Sequence, residues 1–263
     1  MTQAERRLFL LETLLCEKPR EDLTIPPDEY GQKRLLRSLF NVRMPLPADK
    51  EFLAVQDAYL KEETAQKGLT AIDDLTPLQP DLYLWQGDIT TLVCDAVVNA
   101  ANAEMLGCFC PCHGCIDNAI HTYAGVELRL KCAEIMKEQG HKEPTGGAKI
   151  TPAYNLPCKY ILHTVGPIAG KELTERDCAL LASCYRACLS LAEQNDVTSI
   201  AFPCISTGVF RFPGDKAAEI AIRTVKEYRS QTNSHMKVIF NVFKDRDYDI
   251  YRGLLGADQK TER

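Results

Sequence analysis

Four cysteines and a histidine fall within eight residues of one segment, Gly107-Cys108-Phe109-Cys110-Pro111-Cys112-His113-Gly114-Cys115-Ile116-Asp117, two positions before an acid. Thiolates and an imidazole at this density are ligands for a transition metal, and the pairing suits zinc (Zn2+). A catalytic zinc usually takes three protein ligands and keeps a fourth position for water or substrate, whereas a structural zinc takes four. Asp117 beside the cluster points to chemistry as well as structure.

Two other segments are suited to a small polar ligand, Gln86-Gly87-Asp88-Ile89-Thr90 and Ser206-Thr207-Gly208-Val209-Phe210-Arg211-Phe212, while Asn99-Ala100-Ala101-Asn102 leads into the cysteine cluster. The Ser206 segment precedes a helix expected to begin near Gly214-Asp215. Its backbone N–H groups and that helix N-terminus are able to cradle a phosphate without a lysine. The competing reading of a Ser-Thr-Gly turn is a plain helix cap. For Asp88 and Asn102 it is a turn residue, and for Phe210 a core aromatic.

These loops need a scaffold, and the apolar patterning supplies one. Leu82-Tyr83-Leu84-Trp85, Asp95-Ala96-Val97-Val98-Asn99, Tyr160-Ile161-Leu162-His163, Ser199-Ile200-Ala201-Phe202 and Val238-Ile239-Phe240-Asn241 are short runs that suit buried strands. Helical periodicity occupies about 116–138, 174–194, 214–230 and 246–256 between and after them. The alternation predicts an α/β fold of three layers, a mixed central sheet covered by helices on both faces, with the ligand at the carboxyl ends of the strands. The first 70 residues differ. Leu8, Leu11, Leu14 and Leu15, then Leu35, Leu36, Leu39 and Phe40, then Phe52, Val55, Tyr59 and Leu60 predict three short helices punctuated by Pro26-Pro27 and Pro45-Leu46-Pro47. The expected division is a helical extension over 1–72 and an α/β domain over 73–263.

Composition excludes several classes. With 263 residues, 45% hydrophobic, the chain is long enough for one substantial core. A net charge of −5 lacks the basic field of a nonspecific nucleic-acid binder. No run approaches a membrane span. Residues 8–15 are apolar but Glu12 interrupts them, and no small-residue cleavage site follows. The expectation is a cytoplasmic chain whose twelve cysteines stay reduced, with Cys16, Cys94, Cys132, Cys158, Cys178, Cys184, Cys188 and Cys204 acting as small buried hydrophobes.

In order and spacing, Gly87-Asp88-Ile89-Thr90, Asp95 to Asn102, Ala124-Gly125, His163-Thr164-Val165-Gly166-Pro167 and Ser206-Thr207-Gly208-Val209-Phe210 resemble the macrodomain family over about residues 80–257. Within it the chain is similar to the MacroD-type branch that removes ADP-ribose from proteins. The Cys/His insertion resembles the zinc-dependent bacterial members, which also carry an N-terminal helical extension. The resemblance implies that Asp88 accepts from the adenine amino group and that the Ile89 N–H meets the ring. It places Asn102, Cys115, Ile116 and Asp117 at the distal ribose, wraps Ser206, Thr207, Gly208, Val209 and Phe210 around the diphosphate, and makes Asp117 and Asn102 the catalytic pair. The glycines that precede the aspartate in that branch are replaced by Cys112-His113-Gly114-Cys115. Asp117 is then a base, a holder of water or a helix N-cap.

Cys108, His113 and Cys115 span the insertion and are the first choice of zinc ligands, with Cys110 and Cys112, which an extended segment would turn to the same side as Cys108, in reserve. Four of these five groups would instead make a closed structural site. The implied activity is zinc-dependent removal of mono-ADP-ribose from protein side chains, with Asp/Glu esters as the linkage. The implied partners are ADP-ribose and a mono-ADP-ribosylated protein, a lipoyl carrier modified by a sirtuin-like transferase. The alternative is a non-catalytic ADP-ribose reader with a structural zinc. Cys112-His113-Gly114-Cys115 also reads as a redox CxxC, although that motif leaves the other loops unexplained. A zinc deaminase would need His-x-Glu followed by Pro-Cys-x-x-Cys, and the one His-x-Glu of the sequence, His141-Lys142-Glu143, is followed by no Cys-x-x-Cys. His121 and His163 are expected to be structural, and the N-terminal helices either to recognise the carrier or to brace the sheet.

Overall fold

The apolar runs become strands because parallel strands buried on both faces need side chains without polar atoms on either side. In a computed structural model that describes residues 1–17 and 23–257, they form one seven-stranded sheet. Residues 18–22 of the expected extension and 258–263 of the expected second domain lie outside the described residues. The strands are β1 (Thr70–Ala71), β2 (Leu82–Gln86), β3 (Leu92–Ala101), β4 (Ala148–Pro152), β5 (Cys158–Val165), β6 (Ser199–Phe202) and β7 (Lys237–Val242). Their order is β2-β7-β6-β3-β5-β4, with β1 beside the start of β3. Every pair is parallel except β4 with β5.

The period of two sorts the strand residues between two cores. Ala96, Val98, Leu162, Ile200, Phe202, Val238 and Phe240 meet α6 (Glu175–Glu193), α7 (Gly214–Thr232) and α8 (Asp245–Ala257). Val97, Ile161, Ala201 and Ile239 meet α4 (Ile116–Ala124) and α5 (Val126–Gln139) on the other face. β1, just before the expected boundary at 72–73, and β4, an edge strand with only Ile150 as a large aliphatic, carry too little apolar pattern to be read from sequence.

The helical pattern at 116–138 is two helices rather than one. Gly125 breaks it at φ +96°, where a Cβ would stand 2.7 Å from Gln56 Nε2. Gln56 Oε1 accepts from the Val126 N–H at 2.9 Å, and Asn155 Nδ2 donates to the Ala124 carbonyl at 3.0 Å. The freed backbone groups at the break are therefore satisfied by side chains.

Gln56 belongs to the extension, which comprises α1 (Gln3–Glu17), α2 (Glu29–Val42) and α3 (Lys50–Gln66). Asp28 and Asp49 cap α2 and α3 through the N–H groups of Gly31 and Phe52. Leu10, Leu11, Leu36, Phe40, Phe52 and Leu60 form a core closed by Tyr123 and Val126, so the extension is seated on α4 and α5. No helix among the described residues is long and apolar enough to cross a membrane. All twelve cysteines are free thiols, but Cys16 is exposed and Cys94, Cys158, Cys178 and Cys204 are half-buried, so only Cys132, Cys184 and Cys188 are the buried hydrophobes expected. Cys16 follows Leu14 and Leu15 on α1, beyond the apolar stripe.

Asp95 ties β3 to the entry of β6. Its Oδ2 accepts from the N–H groups of Thr198 at 2.8 Å and Ser199 at 3.2 Å, and its Oδ1 pairs with Lys159 at 2.7 Å. Burial alone would raise its pKa, but Lys159 and Thr198 outweigh it and hold the group at about 2. A depressed folded-state pKa gives stability that is present above the unfolded value of about 4 and is lost as pH falls towards 2. Replacing Asp95 by Asn should cost about 1–2 kcal/mol at neutral pH. In denaturant titrations the deficit should shrink between about pH 4 and 2.

Candidate active site

Because β2, β7, β6, β3 and β5 run parallel, the loops that follow β2, β3, β5 and β6 all leave one edge of the sheet. The Asp88 loop and the loop after β3 stand three strand spacings apart, about 14 Å, with the Ser206 loop between them.

At one end, Asp88 precedes a single 3-10 turn over 89–91. Its Oδ1 accepts from the Thr90 N–H at 3.0 Å and the Thr90 hydroxyl at 2.6 Å. Its Oδ2 pairs with Lys67 at 2.8 Å, and the Lys67 ammonium sits 3.3 Å from the centre of the Tyr123 ring. Burial would raise the Asp88 pKa, but Lys67 and Thr90 together lower it, so the group is an acceptor. The N–H of Ile89 finds no acceptor among the described residues.

In the middle lies a donor nest. Ser206 holds φ +67°, and the loop is closed by bonds from the Phe212 N–H to the Ser206 carbonyl at 3.0 Å and the Arg211 N–H to the Gly208 carbonyl at 3.0 Å. The N–H groups of Ser206, Gly208, Val209 and Phe210 find no acceptor among the described residues. Four free amides in a left-handed turn are suited to an anion. The Thr207 N–H and hydroxyl both go to the Cys204 carbonyl. Thr207 therefore braces the loop.

At the far end, Asp117 is buried to 4% exposure. Its Oδ1 accepts from Asn99 Nδ2 at 2.8 Å and its Oδ2 from Asn102 Nδ2 at 3.2 Å. Burial pushes its pKa up to about 6 against the pull of both amides and the Arg129 charge. The N-cap alternative for Asp117 fails, because Cys115 caps α4 through the Asn118 N–H and Asp117 is the second residue of the helix. The Asn102 amide also donates to the Gly107 carbonyl at 3.0 Å and accepts from the Glu104 N–H at 3.0 Å. Beneath Asp117, His163 Nδ1 lies 3.2 Å from Asn99 Nδ2 and its Nε2 lies 2.9 Å from the Thr151 hydroxyl. Burial lowers the pKa of His163 to about 3 and that of His121 well below its ordinary value, so both rings are neutral. The 3.6 Å approach of His121 Nε2 to Asp117 Oδ1 is consequently not an ion pair.

One donor atom each from Cys108, His113 and Cys115 lie within 4.8 Å of one another, beside the helix that carries Asp117. Cys108 Sγ is 3.6 Å from His113 Nδ1. A tetrahedral zinc with Zn–S of about 2.3 Å and Zn–N of about 2.0 Å sets sulfur and nitrogen ligands about 3.5 Å apart. Burial, with Cys108 and Asp117 close by, pushes the Cys115 thiol up to about 12. A bound cation would hold the Cys115 sulfur as a thiolate, and the donor set of two sulfurs and one imidazole nitrogen fits zinc. The reserve ligands are not brought into the cluster. Residues 110–113 turn, with the His113 N–H on the Cys110 carbonyl at 3.2 Å and Cys112 at φ +53°, so the extended segment that would have aligned Cys110 and Cys112 with Cys108 does not form. Cys110 is exposed, and Cys112 Sγ donates to the Arg34 carbonyl at 3.4 Å.

Sequence reasoning missed the residues that hold this site from outside its motifs: Arg37, Asn41 and Lys67 of the extension, and Asn118 and Arg129 of α4 and α5. Gly166 lay within the His163 to Pro167 segment but was given no role there. A Cβ there would lie 2.0 Å from Ser206 Oγ and 2.9 Å from Ile205 Cγ2. The loop after β5 therefore packs directly on the donor nest. Gly166→Ala should push Ser206 out of place and weaken ADP-ribose binding by at least tenfold, about 1.4 kcal/mol, in calorimetric titration. Binding equal to that of the natural chain would show that the nest is not the anion site.

The profile of the Macro domain matches residues 98–221. Over 260 residues the chain is 60% identical to a protein of Treponema medium named Protein-ADP-ribose hydrolase, covering 97% of this chain and 100% of that protein. It is 50% identical over 253 residues to a Staphylococcus aureus (strain MSSA476) protein of the same name, covering 95% of each. Among solved structures, the Trypanosoma brucei macrodomain in complex with ADP-ribose superposes with a TM-score of 0.66 at 29% identity, over 84% of this chain and 95% of that one. The strand order, the loops along one sheet edge and these likenesses agree: the chain belongs to the macrodomain family.

Proposed function

We propose that this chain is a protein-ADP-ribose hydrolase that cleaves mono-ADP-ribose from modified protein side chains, with Asp/Glu esters as the linkage and zinc held by Cys108, His113 and Cys115. Two relatives that bear the name of that activity match almost the whole chain. The observation that carries the reading is the buried carboxylate of Asp117, held by two amides within two residues of a metal-competent ligand. A protein that only bound ADP-ribose would need neither group at the ribose end.

In this reading Asp88 and the Ile89 N–H take the adenine, and the amides of Ser206 to Phe210 take the diphosphate. The distal ribose reaches Asn102, Cys115, Ile116 and Asp117, with Phe210 packed against the sugar. Asp117 orients a water towards the anomeric carbon and accepts its proton. As the new C–O bond forms, the bond to the side-chain oxygen breaks and the carboxylate leaves with the electron pair. A zinc ion held by Cys108, His113 and Cys115 would supply Lewis acidity at the ribose end of the site. Asn99 and Asn102 keep Asp117 in one orientation, which is the positional control such attack requires. We propose the cytoplasm as its place, a lipoyl carrier as the modified protein and a sirtuin-like ADP-ribosyltransferase as the opposing enzyme.

The test is release of free ADP-ribose from a mono-ADP-ribosylated lipoyl carrier and from an Asp/Glu-modified protein. Release should stop on chelation, return with zinc, and fall at least a hundredfold in Asp117→Asn. Tight binding without release in every condition would replace the hydrolase with a reader.

A further inference from the structure

We propose that Arg37 and Asn41 of α2 are positioning residues for the metal loop, so that part of the affinity for zinc resides in the N-terminal helices. This rests on the reading of Cys108, His113 and Cys115 as ligands. Between Ala101 and Ile116 the chain forms no helix or strand, so its backbone polar groups must find side chains. The Cys112 N–H donates to Asn41 Oδ1 at 2.8 Å, and the His113 carbonyl accepts from Arg37 Nη2 at 3.0 Å. Asn118 donates to the carbonyls of Cys108 at 3.4 Å and Cys110 at 3.0 Å. Arg37 holds Asn118 in turn, through Nη2 at 2.8 Å and Nε at 3.3 Å on its Oδ1. Asn41 Nδ2 donates to the Thr122 hydroxyl at 2.9 Å, and that hydroxyl donates to the Asn118 carbonyl at 2.7 Å.

The two residues are four apart on α2, and Asn41 and Asn118 are both buried. Every ligand therefore has an anchor within one residue of it or on it: Cys108 and His113 through their carbonyls, Cys115 through the Asn118 N–H on its sulfur. Groups that must be brought together to bind a cation pay an ordering cost, and a clamp from a folded helix removes it before the metal arrives. Neither residue touches the reacting atoms.

Zinc affinity of the full chain, measured by competition with a chromophoric chelator well below the unfolding temperature, is the test, with unfolding of the metal-free form followed in parallel. Arg37→Ala and Asn41→Ala should each weaken zinc by about tenfold or more, in the range typical of groups that orient ligands. Lys33→Ala on the same helix, which loses only its pairs with Glu29 and Glu63, should leave affinity unchanged. Arg37→Lys keeps charge and stem but loses the fork on Asn118, and carries the test if Arg37→Ala does not fold. Affinities within about twofold of the natural chain for Arg37→Lys and Asn41→Ala would overturn the proposal. If Cys115→Ala bound zinc as tightly as the natural chain, the ligand reading itself would fall first.

Discussion

Asp117 sets the terms for the rest of the site. A carboxylate that is almost wholly buried is expensive unless its oxygens are taken by donors, and the amides of Asn99 and Asn102 take one each. Asn99 ends its run on β3 with its second hydrogen on a neutral, buried His163, so the base of the site is a hydrogen-bonded stack rooted in the sheet. Asn102, which bonds Gly107 as well, carries that order into the cysteine loop. One buried acid thus couples the end of β3, the first turn of α4 and the start of the cysteine loop.

Two constraints act on the loop from opposite sides. It has no regular structure, so the backbone requires partners, and it ends on Cys115, a thiol whose ionisation burial resists. Asn118 and the α2 side chains answer the first demand. The Arg129 guanidinium bonds the Leu106 carbonyl at 2.7 Å and covers the Phe109 ring at 4.4 Å, closing the loop's base. The second demand is met by a cation or not at all, which is why the cluster fits zinc better than a free redox pair.

Most of the sheet was legible because β2, β3, β5, β6 and β7 carry continuous apolar runs, and the edge loops were legible because ligand-facing turns need Asp, Asn, Ser and Gly at particular places. Cys108, His113 and Cys115 were singled out by residue type and span. What stayed hidden was long-range. Arg37 and Asn41 reach Asn118 and Cys112 across 81 and 71 residues, and their sequence neighbourhood shows only an amphipathic helix. The break at Gly125 was hidden for a similar reason, because the capping groups come from Gln56 on a distant helix. The turn at Cys110 to His113 has Pro111 at its second position, a local turn signal, but its anchoring to α2 through Asn41 and Arg37 has none. The extension thus builds the site as well as bracing the fold.

The proposed hydrolysis requires an open metal site beside Asp117, and the most direct measurement is X-ray absorption at the zinc edge of the loaded protein. Two sulfurs at about 2.3 Å, one imidazole nitrogen at about 2.0 Å and one further light atom that changes when ADP-ribose binds would agree with it. Three or four sulfurs in a shell indifferent to ADP-ribose would contradict it, since a closed site leaves the metal no part in hydrolysis.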